Sequence, residues 1–244
     1  MDKLLICEFK KQKRNRFIFV SIGLITLYLV FMSYYVNDAR GLYSDFTSFY
    51  KQCLGYLCFL ILPLIIAILC VNVFADEYKS DALKYLWTVP VSKGKLVFAK
   101  VLYIELMSLI LMLFVCLFVI VSANITRFSQ SIDIHNILRV LYLCAANGLI
   151  IPLAVFPISI FVVLCKGNTV IPTILSVVYV FLSFLFTSPG AGIIPLSSTT
   201  HIIWFNNYEG VMTNNNIEMN VANLSIIFIL GIVFTSSLLK KQNL

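Results

Sequence analysis

Charge is what this chain has least of. Only 12% of its 244 residues are Asp, Glu, Lys or Arg, against about a quarter in a soluble domain, while 60% are hydrophobic and the mean hydropathy is +0.95. With apolar runs of helix-spanning length, that scarcity excludes an ordinary soluble domain and points to a polytopic membrane protein. No stretch is both long and polar enough for a separate soluble domain. Histidine is rarer still, with His135 and His201 alone. Neither has a second histidine or a carboxylate at metal-ligand spacing, and there is no His-Glu-x-x-His and no pair of acids within one apolar run. The constellation of an intramembrane metalloprotease is therefore missing, and no Ser/His pair lies within an apolar run. Also missing is G-x-x-x-x-G-K-[ST], so the chain carries no Walker-type phosphate loop of its own.

Two further absences are local. No A-x-A-like cleavage site follows the basic N-terminus, whose apolar run Phe17–Val36 is full length, so residue 1 is expected to stay in the mature chain. From Gly167 to Leu239 there is no Lys or Arg, while Glu209 and Glu218 are present. The resulting negative bias at one end suits a cationic ligand, and sorting of positive charge to the other side explains it equally well. Seven cysteines are scattered without metal spacing; Cys53 and Cys58 are five apart and lack histidine neighbours. They read as small buried apolar side chains.

What remains is hydrocarbon length, six times over. The expected spans are Phe17–Val36, Cys53–Phe74, about Val101–Val121, about Val140–Cys165, Thr169–Phe186 and Val221–Leu239. Each is close to the length that crosses about 30 Å of hydrocarbon. None alternates as a barrel strand would, so the spans are helices. With the N-terminus inside, fourteen Lys and Arg residues lie on inner segments; only Arg40, Lys51, Arg127 and Arg139 lie outside. That bias places both termini in the cytoplasm. Residues 2–16 read either as an interfacial helix with Leu4, Leu5 and Phe9 on one face or as a plain basic flank.

Within the spans, polar and helix-breaking residues are few enough to name. Asn147-Gly148, Pro152 and Pro157 interrupt the fourth and predict a kinked or two-piece helix, a substrate contact or a bent packing element. Lys166-Gly167-Asn168 is short enough to force an antiparallel pair. Glu105 is the one acid inside an apolar run, a functional suspect that can also pair with a neighbouring base. Thr187–Asn220 mixes turn residues with Trp204, Phe205 and Tyr208, and reads as one or two short helices in the outer interface, aromatics at headgroup level.

The longest charged interval lies between spans two and three, DEYKSDALKYLWTVPVSKGKLVFAK over residues 76–100. Ser80 and Asp81 can cap a helix. Ala82, Tyr85 and Leu86 share one apolar face that Trp87 widens. Pro90 stops the helix near Val89, and Ser92 caps the next span, with Lys93, Lys95 and Lys100 at headgroup level.

This run resembles the first cytoplasmic loop of type-2 ABC exporter permeases, and within that group it is similar to the permeases of lantibiotic self-immunity and bacitracin resistance. The resemblance rests on an acid after the second span (Glu77), a hydrophobic short helix (Leu83–Trp87), a Pro-Val-Ser-basic turn (Pro90–Lys93) and a lysine entering the third span (Lys100). The six-span layout and basic N-terminus extend it over nearly the whole chain, as one domain of residues 1–244. Lys79-Ser80 stand where many such permeases have glycine. The resemblance implies an all-α membrane protein of six transmembrane helices, with an N-terminal interfacial helix, a cytoplasmic coupling helix and an outer interfacial segment before the last span. Glu77, Ala82, Leu83, Tyr85, Leu86, Trp87, Pro90 and Ser92 would engage an ATPase subunit that holds the ATP and Mg²⁺. This chain would bind no cofactor or nucleic acid, perform no catalysis, and pair with a second permease, identical or related, among membrane lipids. Its cargo would be antimicrobial peptides or similar amphiphiles, cleared from a bacterial plasma membrane. Asn147, Pro152, Pro157, Glu105 and Trp204 are the candidates along the substrate path. The rival readings are export of another small hydrophobic substrate or ion, a membrane enzyme, and a non-transporting anchor or sensor.

Overall fold

The computed structural model describes residues 2–12, 16–39, 42–79, 93–166, 168–187, 190, 192–204 and 217–241. Among them all regular structure is helical: α1 (Asp2–Gln12), α2 (Arg16–Asp38), α3 (Phe46–Tyr56), α4 (Leu62–Lys79), α5 (Lys93–Ile125), α6 (Ile134–Val155), α7 (Ile158–Leu164), α8 (Val170–Leu185), α9 (Pro195–Ile203) and α10 (Ile217–Lys241). A π-helical turn, Leu57–Ile61, joins α3 to α4, and a 3₁₀ turn, Arg127–Ser131, follows α5. Five of the described helical runs are long and apolar enough to cross a membrane: Arg16–Asp38, Phe46–Tyr78, Gly94–Ile125, Ile134–Leu164 and Ile217–Leu239. The expected fifth span is the sixteen-residue α8. At 1.5 Å per residue it is about 24 Å long, shorter than the hydrocarbon core.

The helices overrun the hydropathy-based spans. The second begins at Phe46 instead of Cys53, the third runs Lys93–Ile125, and the last runs Ile217–Lys241. Hydropathy marks only the part that must sit in hydrocarbon, whereas backbone hydrogen bonding carries the helix on into the polar zone.

The run from Phe46 to Tyr78 is the axis of the bundle, with 67% of its apolar window buried, against 22% for α2 and 17% for α10. The outer helices bury one stripe each. In α2 that stripe is Ser21, Ile25, Leu29, Met32 and Val36; in α10 it includes Asn220, Leu224, Gly231, Thr235 and Leu239. Phe19, Leu27 and Tyr34 point outward from α2, as lipid-facing residues do when apolar side chains gain nothing by leaving the bilayer. Arg127 holds the C-terminal end of α2, its Nη2 donating to the carbonyls of Val36, Ala39 and Tyr43 at 3.0–3.1 Å.

Proline shapes two of the long runs. Pro63 lacks the amide that would bond to the Phe59 carbonyl, and the π turn lies just before it, with Leu62 N donating to Leu57 O. The expected break in the fourth span falls at Phe156-Pro157, separating α6 from α7, while Pro152 stays inside α6. The break releases the Ala154 carbonyl, which accepts from the Tyr179 hydroxyl of α8 at 3.0 Å. Gly148 brings α6 close to α5: a Cβ there would lie 3.2 Å from Leu109 Cα.

The segment before α10 holds one short helix, α9, within the expected stretch, but Trp204 does not face outward. Trp204 is 1% exposed and packs edge-on against Phe59 at 6.0 Å, so it is covered by protein. It follows α9, of which only Ile202 is not fully buried. The reason is that α9 disposes of its own polarity. Ser198 and Thr199 donate back to Ile194 and Leu196 carbonyls, Ser197 donates to Thr187 O, and His201 Nε2 lies 3.0 Å from the same oxygen. A tight turn at Gly192, φ +75°, sends its N–H to Ser198 Oγ at 3.0 Å, a backbone angle glycine adopts without penalty. Phe205, Tyr208 and Glu209 lie outside the described residues.

Candidate energy-coupling site

Of the predicted coupling residues, Ala82, Leu83, Tyr85, Leu86, Trp87, Pro90 and Ser92 lie outside the described residues, and with them the short helix they were expected to form. What the structure describes is where the loop is rooted. α4 delivers Glu77 at its end, and α5 delivers Lys100 two turns after its start. Lys100 is fully buried. Its Nζ lies 3.1 Å from Glu77 Oε1, donates to the Val73 carbonyl at 2.6 Å and sits 5.2 Å over the Phe74 ring. The headgroup-level position expected for Lys100 is thus replaced by a buried one, because α4 offers a carboxylate, a carbonyl and an aromatic face to one ammonium. Taking such a charge out of water is costly, and only a complete set of partners makes it tolerable.

A third element joins the two. The N-terminal helix α1 buries Glu8 and Gln12. Glu8 Oε1 lies 3.8 Å from both Lys100 and Lys11, and Gln12 Nε2 donates to Asp76 Oδ2 at 2.6 Å. Phe9 packs edge-on against Tyr103 of α5 at 4.9 Å. The face that α1 turns to the bundle is therefore Glu8, Phe9 and Gln12, not the expected Leu4–Leu5–Phe9 stripe, whose leucines stay half-buried. Glu8 and Gln12 went unnoticed in the sequence. The signal available was that Glu8 is the one acid between Asp2 and Asp38, inside a run of cations.

Of two cavities walled by described residues, one meets a single substrate-path candidate, Pro157, and the other meets none. Asn147 is buried, and its amide donates to the Leu143 carbonyl one turn back at 2.7 Å. Pro152 is buried within α6. Glu105 is half-buried, and its Oε2 has no hydrogen-bond partner among the described residues, so the expected pairing with a base is not found there. Pro157 does meet a cavity of about 390 Å³, walled by Phe161, Tyr179 and Leu182 and by Ile227 of α10. Trp204 is held against Phe59. Among the described residues no group of three His, Cys, Asp or Glu side chains is placed to hold a metal ion.

Long apolar helices of this number make the chain a multi-pass membrane protein. Residues 4–183, which run from α1 into α8, match the family described as ABC-2 family transporter protein. The chain belongs to that family and is a membrane permease component of the ABC transporter type. No curated protein matches it.

Proposed function

We propose that the chain is the permease subunit of an ATP-driven exporter and that residues 76–100 are the handle on which a separate ATPase acts. The observation that carries this reading is the buried Lys100, which joins α1, α4 and α5 at the roots of that handle. A force delivered to residues 80–92 meets three helices pinned by one ammonium, so it moves them as a unit and does not dissipate in a loose hairpin. Ala82, Leu83, Tyr85, Leu86 and Trp87 supply the apolar surface for the ATPase, with Pro90 and Ser92 setting the turn into α5. ATP and Mg²⁺ belong to the partner. A second permease completes the pathway, and residues 1–244 act as one domain with both termini in the cytoplasm of a bacterium.

The cargo in this reading is an amphiphile, an antimicrobial peptide of the lantibiotic or bacitracin type. Its support is the likeness of the handle and the apolar cavity beside the α6–α7 break, which suits a molecule drawn from the bilayer more than one drawn from water. Leu86→Ala and Trp87→Ala are expected to lower both ATPase co-purification and export while membrane insertion stays intact. Unchanged ATPase recovery removes the handle. A deletion strain is expected to become more sensitive to such peptides; unchanged sensitivity removes that cargo.

A further inference from the structure

Between α1 and the spans α2 and α5 lies a second cavity, of about 360 Å³. Ile6 and Phe9 of α1, Ile18 of α2, and Tyr103 and Met107 of α5 form its apolar walls, and Lys10 and Gln12 also line it. Met107 lies one turn beyond Tyr103 along α5, so the cavity continues down that helix, away from its Lys93 end. Ile6 and Lys10 are exposed. The volume is at the small end for ligand pockets, room for one chain of a lipid and not for a whole phospholipid.

The exposed charges beside it, from Lys10 to the start of α2, are basic, while Asp76 is half-buried and accepts from Gln12 on the wall. Lys10 and Lys11 stand in the last turn of α1, and Arg16 is exposed at the start of α2. Glu8, the acid nearest to them in α1, is buried and turned onto Lys100 and Lys11, so it offsets part of the charge of Lys11 and leaves that of Lys10 and Arg16 at the rim. An apolar slot ending in basic side chains is complementary to a hydrocarbon chain that ends in an anionic headgroup.

We infer that the groove between α1, α2 and α5 is a site for one anionic phospholipid, its acyl chain along Phe9, Ile18, Tyr103 and Met107 and its phosphate at Lys10. The site is also a regulatory one in the proposed exporter, and that part rests on the handle reading above. Phe9 and Gln12 wall the groove and also hold α1 to Tyr103 and Asp76. A lipid chain seated there braces α1 against the roots of the handle.

The test uses the full chain alone, in nanodiscs of phosphatidylcholine with a minor share of phosphatidylglycerol. The lipid retained on extraction into detergent is measured by mass spectrometry. Wild-type protein is expected to retain phosphatidylglycerol well above the supplied proportion. Lys10→Glu should reduce that enrichment about fivefold or more, the weight of one basic side chain at an anionic surface, and Ile6→Trp should abolish it by filling the slot without touching charge. Both positions are exposed, so the variants fold, and monodisperse elution checks that. No enrichment in the wild type, or enrichment that survives either substitution, overturns the site. Both nanodisc leaflets have the same composition and no ATPase is present, so the outcome is independent of the exporter reading.

Discussion

A buried lysine ammonium needs compensating partners, and Lys100 has one hydrogen bond, to the Val73 carbonyl, with the Glu77 carboxylate at 3.1 Å and that of Glu8 at 3.8 Å as ion-pair partners. Removing one member of such a set leaves the others charged and buried, which costs about 3–5 kcal/mol. Lys100→Met is therefore expected to lower the thermal unfolding temperature in detergent by several degrees. Lys100→Met combined with Glu77→Gln should recover part of the loss, because the orphaned carboxylate is gone. A double variant as unstable as the sum of the singles would show that the two do not act as a pair. Glu105 predicts the opposite sign. Its Oε2 is buried without a partner among the described residues, so Glu105→Gln exchanges an uncompensated carboxyl group for a neutral amide, and unfolding temperature should stay level or rise.

At the scale of elements, the break at Pro157 frees the Ala154 carbonyl, and Tyr179 is what satisfies it. Tyr179→Phe keeps the ring and loses the bond. The expected cost is about 0.6–2 kcal/mol, the range for hydrogen bonds between membrane helices, read as a lower unfolding temperature. A second contact is set by size alone. Gly148 touches the backbone of α5, so Gly148→Val must push α5 and α6 apart. A cysteine pair placed across that contact should then crosslink more slowly than in the parent. Neither contact was legible in the sequence. Pro152 and Pro157 announced a disturbed helix, but the structure alone shows that the break falls at Pro157 while Pro152 stays inside α6.

For the whole molecule, α5 runs 33 residues from Lys93 to Ile125, about 50 Å at 1.5 Å per residue, so its ends emerge on opposite sides of the membrane. The proposed topology puts α1 inside and the 3₁₀ turn Arg127–Ser131 outside. Cys7 on α1 is exposed, and in sealed cells an impermeant maleimide should fail to label it. In a cysteine-free background Ser129→Cys should be labelled readily. The reverse pattern turns the chain over and moves the handle to the wrong side for a cytoplasmic ATPase.

Composition and apolar run length were enough to establish a helical, multi-pass membrane protein, because the bilayer makes one demand on every spanning segment: about twenty apolar residues with all backbone groups bonded internally. That demand is local, so it is written along the chain. The charge node at Lys100, the burial of Trp204 and the inward face of α1 are not local. Lys100 and Trp204 looked like headgroup residues because a lysine or a tryptophan near the end of an apolar run is normally one. Whether such a side chain meets water, lipid or protein depends on which helix lies beside it, and that neighbour is set by packing between segments as distant as Glu8 and Lys100.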